Sequence, residues 1–393
     1  MERALILTAV RTPIGRFLGA LSDVDAPTLA AHVIEEAVSR SGVPPTELDE
    51  VLVGNAISAG TGQNVARQAA LDAGVPREVP ATTVSMMGGS SLRALVIAQR
   101  MIEAGAAHCV VVAGVESASR APHLLSGFRK GQRVGNATLV DSLVRDALWD
   151  PRCECLSSEI AENVAREFNI SRQEQDEYAL LSHQRCTEAW AKRRFLTEIV
   201  PVFLQPDDGE PQELDVDQRL EEPVTAEMLA QMRPAVGPKG TVTPGNYAEL
   251  GDGAASVVVA SESFVKAHGL EARYAILGSA VVGVDPLFMP LGAAEAAKAV
   301  LDRVQMTVAD IDLAEIHENY AVVVLAAERE LKVPREKVNV LGGAISLGHP
   351  VGAEALRMLT TLFHEIPRRG AQVGLVSAAV AGGQGVAVVF QRI

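Results

Sequence analysis

"GGSSLRALVIAQRMIEAGAAHCVVVAG" (88–114) and "GHPVGAEALRMLTTLFHEIPRRGAQVGLVS" (348–377) follow the same course. Each opens on a small-residue turn, continues as a helix with apolar residues three and four apart, passes a Gly-containing turn and ends in a strand-like run. A repeat on this scale predicts two similar α/β units. Paired about a pseudo-twofold axis, the units would bring the turns at 88–91 and 348–350 face to face. The unsatisfied N–H groups and partial positive charge of two helix N-termini would then point into one cleft, a natural place for an oxyanion or a thioester oxygen.

Working outward, "ALILTAV" (4–10), "EVLVGNA" (50–56) and "HCVVVAGVESAS" (108–119) read as strands, and "TLAAHVIEEAVSRSG" (28–42) as a helix closed by Gly42. The middle, 122–231, is richer in charge and helix-like text and carries an exposed acidic stretch, "LQPDDGEPQELDVDQRLEEPVT" (204–225). It reads as an inserted, mostly helical lobe. Alternation resumes with strands at 274–284, near 313–321, at 371–381 and at 385–393, and a helix at 293–304.

Composition narrows the function. With 393 residues, 48% of them hydrophobic and only 4% aromatic, the chain has material for a large, closely packed α/β core. A net charge of -14 speaks against nucleic acid and anionic membrane as partners, since both need clustered Lys and Arg. Four cysteines form neither a disulfide framework nor a zinc-finger spacing, so a cytoplasmic protein without a bound metal is expected. The first apolar run is too short, and too soon broken by Arg11, Pro13 and Arg16, for a signal or membrane segment.

A series of ordered motifs resembles the thiolase family over essentially the whole chain: "TAVRTPIGRF" (8–17), "AGVESAS" (113–119), "AENVA" (161–165), "EIVPV" (198–202), "GTVTPGN" (240–246), "DGAA" (252–255), "NVLGGAISLGHPVGA" (339–353) and "GGQGVA" (382–387). The resemblance implies an α/β thiolase fold, two similar βαβαβαββ halves forming a five-layered αβαβα core. It places the N-terminal half at 1–120 plus about 248–265, a loop domain covering the substrate cleft at 121–247, and the C-terminal half at 266–393. It also implies coenzyme A or an acyl-CoA as substrate, no covalently bound cofactor, and a homodimer or dimer of dimers.

The resemblance fails at the reacting groups. Thiolases carry a nucleophilic cysteine in a V-N-x-x-C-G-S-G-L motif; "VSMMGGSSL" puts Gly88 there. A second family cysteine, which moves a proton at the substrate α-carbon, corresponds to Ala379 in "AVAGGQG". The N-E-A-F motif becomes "HENY" (317–320), and His349 of G-H-P is retained. On the coenzyme A side, "PGNYAELGD" replaces a serine by Ala248 and a glycine by Glu249, and Glu354 stands where relatives have a small residue. Both carboxylates put coenzyme A binding in question.

The family pattern therefore assigns His349 and His317 to the site as catalytic groups. Gly88, Gly89, Gly382 and Gly383 are expected to offer backbone oxyanion donors, and Ala248, Glu249 and Met289 to line the substrate side. Glu318 is expected to satisfy neighbouring donors, Tyr320 to pack, and Ser91 to be a weak alternative nucleophile, having no clear base partner. Three functions follow. The first polarises a coenzyme A or carrier thioester carbonyl without a cysteine acyl-enzyme, for retro-aldol cleavage, decarboxylation or condensation. The second is an inactive homologue binding acyl-CoA or a partner, with a small acyl-binding subunit as one such partner. The third is ordinary thiolytic acyl transfer.

Overall fold

The computed structural model describes residues 2–205, 210–221 and 223–393, so positions 206–209 and 222 of the acidic stretch lie outside the described residues. The first half contributes β1 (Ala4–Arg11), α1 (Ala26–Ser41), β2 (Glu50–Gly54), α2 (Val65–Asp72), β3 (Ala81–Val84), α3 (Ser90–Glu103) and β4 (Cys109–Ser117). Two long helices of the insertion follow, α4 (Ser157–Glu167) and α5 (Arg172–Ala191), and then β5 (Gly251–Ser261). The second half supplies β6 (Tyr274–Gly283), α6 (Gly292–Val304), β7 (Leu313–Ile316), α7 (Ala321–Leu331), α8 (Glu354–Arg368), β8 (Val373–Val380) and β9 (Gln384–Arg392).

Strand order makes the repeat explicit. The first half runs β3-β2-β4-β5-β1 and the second runs β7-β8-β9-β6, with β1 beside β6. Counting strands within each half, the second reproduces the first without its edge strand, whose place is taken by a single parallel bridge from Ala314 to Val338. Pair directions repeat too: β2–β4 and β7–β8 are parallel, while β4–β5, β5–β1, β8–β9 and β9–β6 are antiparallel. Every residue of β1, β4, β5 and β8 is buried, the continuous apolar reading expected of a sheet covered on both faces.

Alternation along the strands sorts side chains between two cores. Ala4 and Ile6 join Leu92 and Leu95 of α3 and Leu356, Leu359 and Phe363 of α8 in a central layer, while Leu5, Leu7 and Val10 face α1 and α2. Helices α6 and α7 cover the far side of the second half. Five layers result, with α3 and α8 in the middle. Local signals set the ends: Asp25 caps α1 by accepting from the Thr28 N–H at 2.9 Å, and Gly42 closes it at φ 72°.

Helix outweighs strand in the described part of the insertion: besides α4, α5 and a short helix at Ala226–Gln231 it holds a π-helical turn at Leu143–Leu148 and single turns at Phe128–Lys130, Phe195–Thr197 and Gln218–Glu221, with coil and strand pairs of two or three residues between them. It is fastened to β1 through fully buried Arg11, whose guanidinium donates to Glu198 at 2.6 Å and to Asp217 at 2.7 Å. No helix among the described residues is long and apolar enough to cross a membrane.

Candidate functional site

The two turns do converge. They face a cavity of 450 Å³ whose wall includes Gly88, His317, Asn319, His349, Ala379 and Ala381. Its outer wall comes largely from the insertion and the 247–250 loop. Between β3 and α3 the chain makes a tight turn through Met87, a non-glycine residue at φ 44°. That turn delivers Gly88 against both imidazoles: a Cβ on Gly88 would lie 3.1 Å from His317 Cε1 and 3.9 Å from His349 Cε1. The position assigned to the family nucleophile thus lies in the cavity wall beside both imidazoles. None of the four cysteines lines this cavity; Cys109 and Cys186 are buried elsewhere, and burial pushes the Cys109 thiol up to about 12.

The imidazoles of His317 and His349 lie 4.6 Å apart, centroid to centroid. Because a carbonyl can only accept, the 3.3 Å contact from His317 Nδ1 to Ala379 O places the His317 proton on Nδ1. Its buried Nε2 is left, among the described residues, as an unpartnered lone pair. Burial, reinforced by His349, holds the group neutral, its pKa lowered to about 3. In that tautomer Nε2 of His317 accepts a hydrogen bond and does not supply one.

Behind His349 stands a charged chain that the sequence presents only as an obstacle. Glu354, expected near the coenzyme tail, is fully buried in the first turn of α8. Its Oε1 accepts from Arg357 Nη2 at 2.6 Å, and its unpartnered Oε2 lies 3.7 Å from His349 Nδ1, also unpartnered. Burial opposes ionisation of Glu354, but Arg357 and the imidazoles outweigh it and hold the carboxylate down at about 2. Glu315 meets the same guanidinium only at 3.4 Å, and burial raises it to about 8. His317, His349 and Glu354 bring three donor atoms within 4.8 Å of one another, a set that could hold a metal ion. The fixed charge of Arg357 on Glu354 weighs against a second cation there.

Several expected site residues belong to the frame instead. Gly89 does not line the cavity; a Cβ there would stand 2.7 Å from Val380 Cγ2. Gly382 and Gly383, at φ 81° and 76°, form the β8–β9 turn outside the cavity wall. Ser91 is fully buried, and its Oγ accepts from Leu356 N at 3.1 Å, capping α8. Ser90 donates to Met87 O and accepts from Met86 N, which leaves it no role as a nucleophile. The N–H groups leading into α8 are likewise taken, Gly352 N–H donating to Glu116 at 3.0 Å and Ala353 and Glu354 N–H both to Pro350 O at 2.9 Å, so they do not point free into the cleft. Glu318 accepts from Tyr178, Ser182, Asn339 and Ile345 N and is buried away from the cavity.

On the substrate side Ala248, Glu249 and Met289 all line the cavity. The carboxylate of Glu249 is paired with Arg219, and its main chain accepts from His349 N at 2.8 Å. Tyr320 forms part of the wall and packs edge-on against Tyr247 at 6.4 Å. Asn319 was not assigned a role by sequence, yet it lines the cavity with a buried Oδ1 that has no partner among the described residues. Its displacement by two residues from the motif's first position hid it.

Comparison with known proteins gives a consistent picture. A model described as "Thiolase, N-terminal domain" matches residues 4–263, and one described as "Thiolase, C-terminal domain" matches 270–392. An acetyl-CoA acetyltransferase of Cupriavidus necator is 43% identical over 392 residues, covering 100% of both chains. A probable acetyl-CoA acetyltransferase of Escherichia coli is 42% identical with the same coverage. Among solved structures, the acetyl-CoA acetyltransferase of Bacillus anthracis superposes with a TM-score of 0.97 at 39% identity, covering 100% of this chain and 99% of that one. Human mitochondrial 3-ketoacyl-CoA thiolase gives 0.96 at 36% identity, with the same shares covered.

Proposed function

The chain belongs to the thiolase family and has its fold, and from that premise we propose that it binds a coenzyme A or carrier thioester beside His349 and polarises the carbonyl without a cysteine acyl-enzyme. The observation that carries this is the wall of the cavity: where a thiolate would sit, the two imidazoles meet the bare Cα of Gly88. A glycine cannot be acylated, and loss of a nucleophile from such a unit costs on the order of 10⁴-fold or more in rate. What is left suits chemistry through an enolate: retro-aldol cleavage, decarboxylation or condensation. His349 takes the part of acid and base at the carbonyl and α-carbon, and Asn319 is the added polar group within the wall.

The insertion supplies the cover, since Asp141, Leu143 and Ser157 lie in the cavity wall. Pairing of Glu249 with Arg219 supports room for an anionic ligand beside it. A homodimer or dimer of dimers, with or without a small acyl-binding subunit, completes the proposal.

A second reading has its own support. The relatives quoted above are named acetyltransferases, at identities above 40%, which favours acyl transfer as the activity. Calorimetry with coenzyme A, acetyl-CoA and acetoacetyl-CoA, followed by a thiolysis assay, tests both. Micromolar binding, about -8 kcal/mol, that weakens in His349→Ala, with no thiolysis, is the expected outcome. Robust thiolysis by the unmodified protein overturns the proposal in favour of acyl transfer, and absence of binding to all three overturns both.

A further inference from the structure

His349 has two ring nitrogens in different surroundings. Nδ1 is buried and has no hydrogen-bond partner among the described residues; the carboxylate facing it is that of Glu354, whose Oε2 lies at 3.7 Å and is equally unpartnered. The ring itself lines the cavity. Backbone contacts hold it from the other side: His349 N donates to Glu249 O at 2.8 Å, and His349 O accepts from Gly251 N at 3.1 Å. Two unsatisfied buried atoms of complementary type, one able to donate and one able only to accept, are costly apart and satisfied together by one proton. A sub-ångström approach closes the gap to hydrogen-bond distance.

We propose that Glu354 is the positioning residue of this site: it accepts the proton on His349 Nδ1, fixes that tautomer, and leaves Nε2 as the nitrogen that gives and takes protons toward the cavity. This rests on the reading of His349 as the acid and base of the site. In the condensing direction the substrate α-C–H bond breaks, its electron pair passes to the enolate, and the proton forms an N–H bond at Nε2, the resulting imidazolium being paired with Glu354. The enolate carbon then bonds to the acceptor carbonyl carbon as that C=O opens to an alkoxide, which takes the proton from Nε2; retro-aldol cleavage is the reverse, with the substrate O–H giving its proton to Nε2 as the C–C bond breaks. The charged and titratable groups packed around the ring are accounted for. His317 faces it as a neutral acceptor, Arg357 keeps Glu354 ionised from the far side, and Glu315 lies beyond Arg357. Arrangement of a carboxylate behind an imidazole to set its tautomer is a general device of acid–base sites.

The test is spectroscopic and needs no substrate. Protein labelled with ¹⁵N-histidine is read by long-range ¹H–¹⁵N correlation at neutral pH, with His349→Asn to identify the signal. Neutral His349 is expected to show a protonated Nδ1 and a bare Nε2. Glu354→Gln, whose amide can offer N–H to Nδ1, is expected to lose the Nδ1-protonated form in favour of Nε2–H. Because Glu354→Gln strands Arg357, the double variant Glu354→Gln/Arg357→Met removes charge and countercharge together and should show the same loss. Glu354→Asp, which keeps the carboxylate, should restore part of the Nδ1 signal, which a merely structural role would not do.

A wild-type His349 protonated at Nε2, or a tautomer indifferent to Glu354→Gln and to the double variant, overturns the inference. So does one equivalent of Zn²⁺ displacing the His317 and His349 signals together, since the three atoms would then be metal ligands. Failure of thioester binding alongside an Nδ1-protonated His349 would remove the proposed function and leave the dyad standing.

Discussion

Replacing Gly88 by Cys puts a sulfur where the turn before α3 meets both imidazoles. Gly88 is outside the positive-φ region, so the backbone accepts a side chain there. The new Cβ would stand 3.1 Å from His317 Cε1, so that ring must give by a few tenths of an ångström. Overpacking of this kind costs about 1–3 kcal/mol, which a folded chain of this size survives. At a helix N-terminus and beside two imidazoles, the thiol should ionise readily and alkylate faster than Cys109 or Cys186, which are buried. Acetyl-CoA should acetylate it by thioester exchange, the new sulfur bonding to the acyl carbon as coenzyme A leaves as its thiolate, read as the mass of one acetyl group on the intact protein.

Steady thiolysis should nevertheless stay low in that variant. Ala379 also lines the cavity and carries no proton donor or acceptor in its side chain, and a positioned acid or base contributes about 10²–10⁴-fold. Adding Ala379→Cys should raise thiolysis by about that factor over Gly88→Cys alone. Full turnover in Gly88→Cys by itself would refute the assignment of Ala379 to the second cysteine position. A Gly88→Cys protein that folds but is never acylated would refute the assignment of Gly88 to the first.

Stability should depend on pH through buried histidines. Burial lowers His317 to about 3, and His183 and His364 to about 4; folded values below the unfolded 6.5 mean that the unfolded chain binds more protons in between. Stability is therefore lost as pH falls from about 6.5 toward 4, by up to about 1.4 kcal/mol per pH unit for each histidine. Glu116 and Glu315, raised by burial from 4.5 to about 7 and 8, act oppositely, their contribution being lost as pH rises toward and through those values. His317→Asn should flatten the acid limb of urea midpoint against pH by one histidine's share, and an unchanged slope would contradict a neutral buried His317. Ser91→Ala removes one of the two acceptors of Leu356 N at the start of α8 and should cost about 1 kcal/mol in urea unfolding, with a loss near zero arguing that the other, Ala353 O at 3.1 Å, suffices.

Most of the architecture was legible because it rests on period and repetition. Two copies of turn, helix, turn and strand predict two matching halves, and the strand order bears out that symmetry down to the direction of each pair. Residues read by motif also reached the cavity: Gly88, His317, His349, Ala379, Ala248, Glu249 and Met289 all line it. What failed were inferences about where individual atoms go. Gly89, Gly382 and Gly383 shape turns, Ser91 caps a helix of the other half, and the N–H groups at the start of α8 are spent on Ser91, Pro350 O and, from Gly352 just before it, Glu116. A motif fixes the path of the chain, but hydrogen-bond partners come from residues hundreds of positions away, and no local pattern announces them.

Glu354 shows the same limit in its most consequential form. As a letter in "GHPVGAEALR" it is a charge near a thioester tail; one helical turn later in sequence, Arg357 changes its meaning. Two carboxyl groups share that guanidinium unequally, so Glu354 stays ionised while Glu315, the more distant one, holds its proton to about 8. The pair Arg357–Glu354 is then neutral as a unit and still presents a carboxylate oxygen to His349 Nδ1. A positive Arg357 alone would disfavour an imidazolium in this dry site, and an unpaired Glu354 would pick up a proton and cease to stabilise one. The negative charge that an imidazolium of His349 requires is thus presented to its Nδ1 by Glu354, in the first turn of the helix that the G-H-P segment leads into.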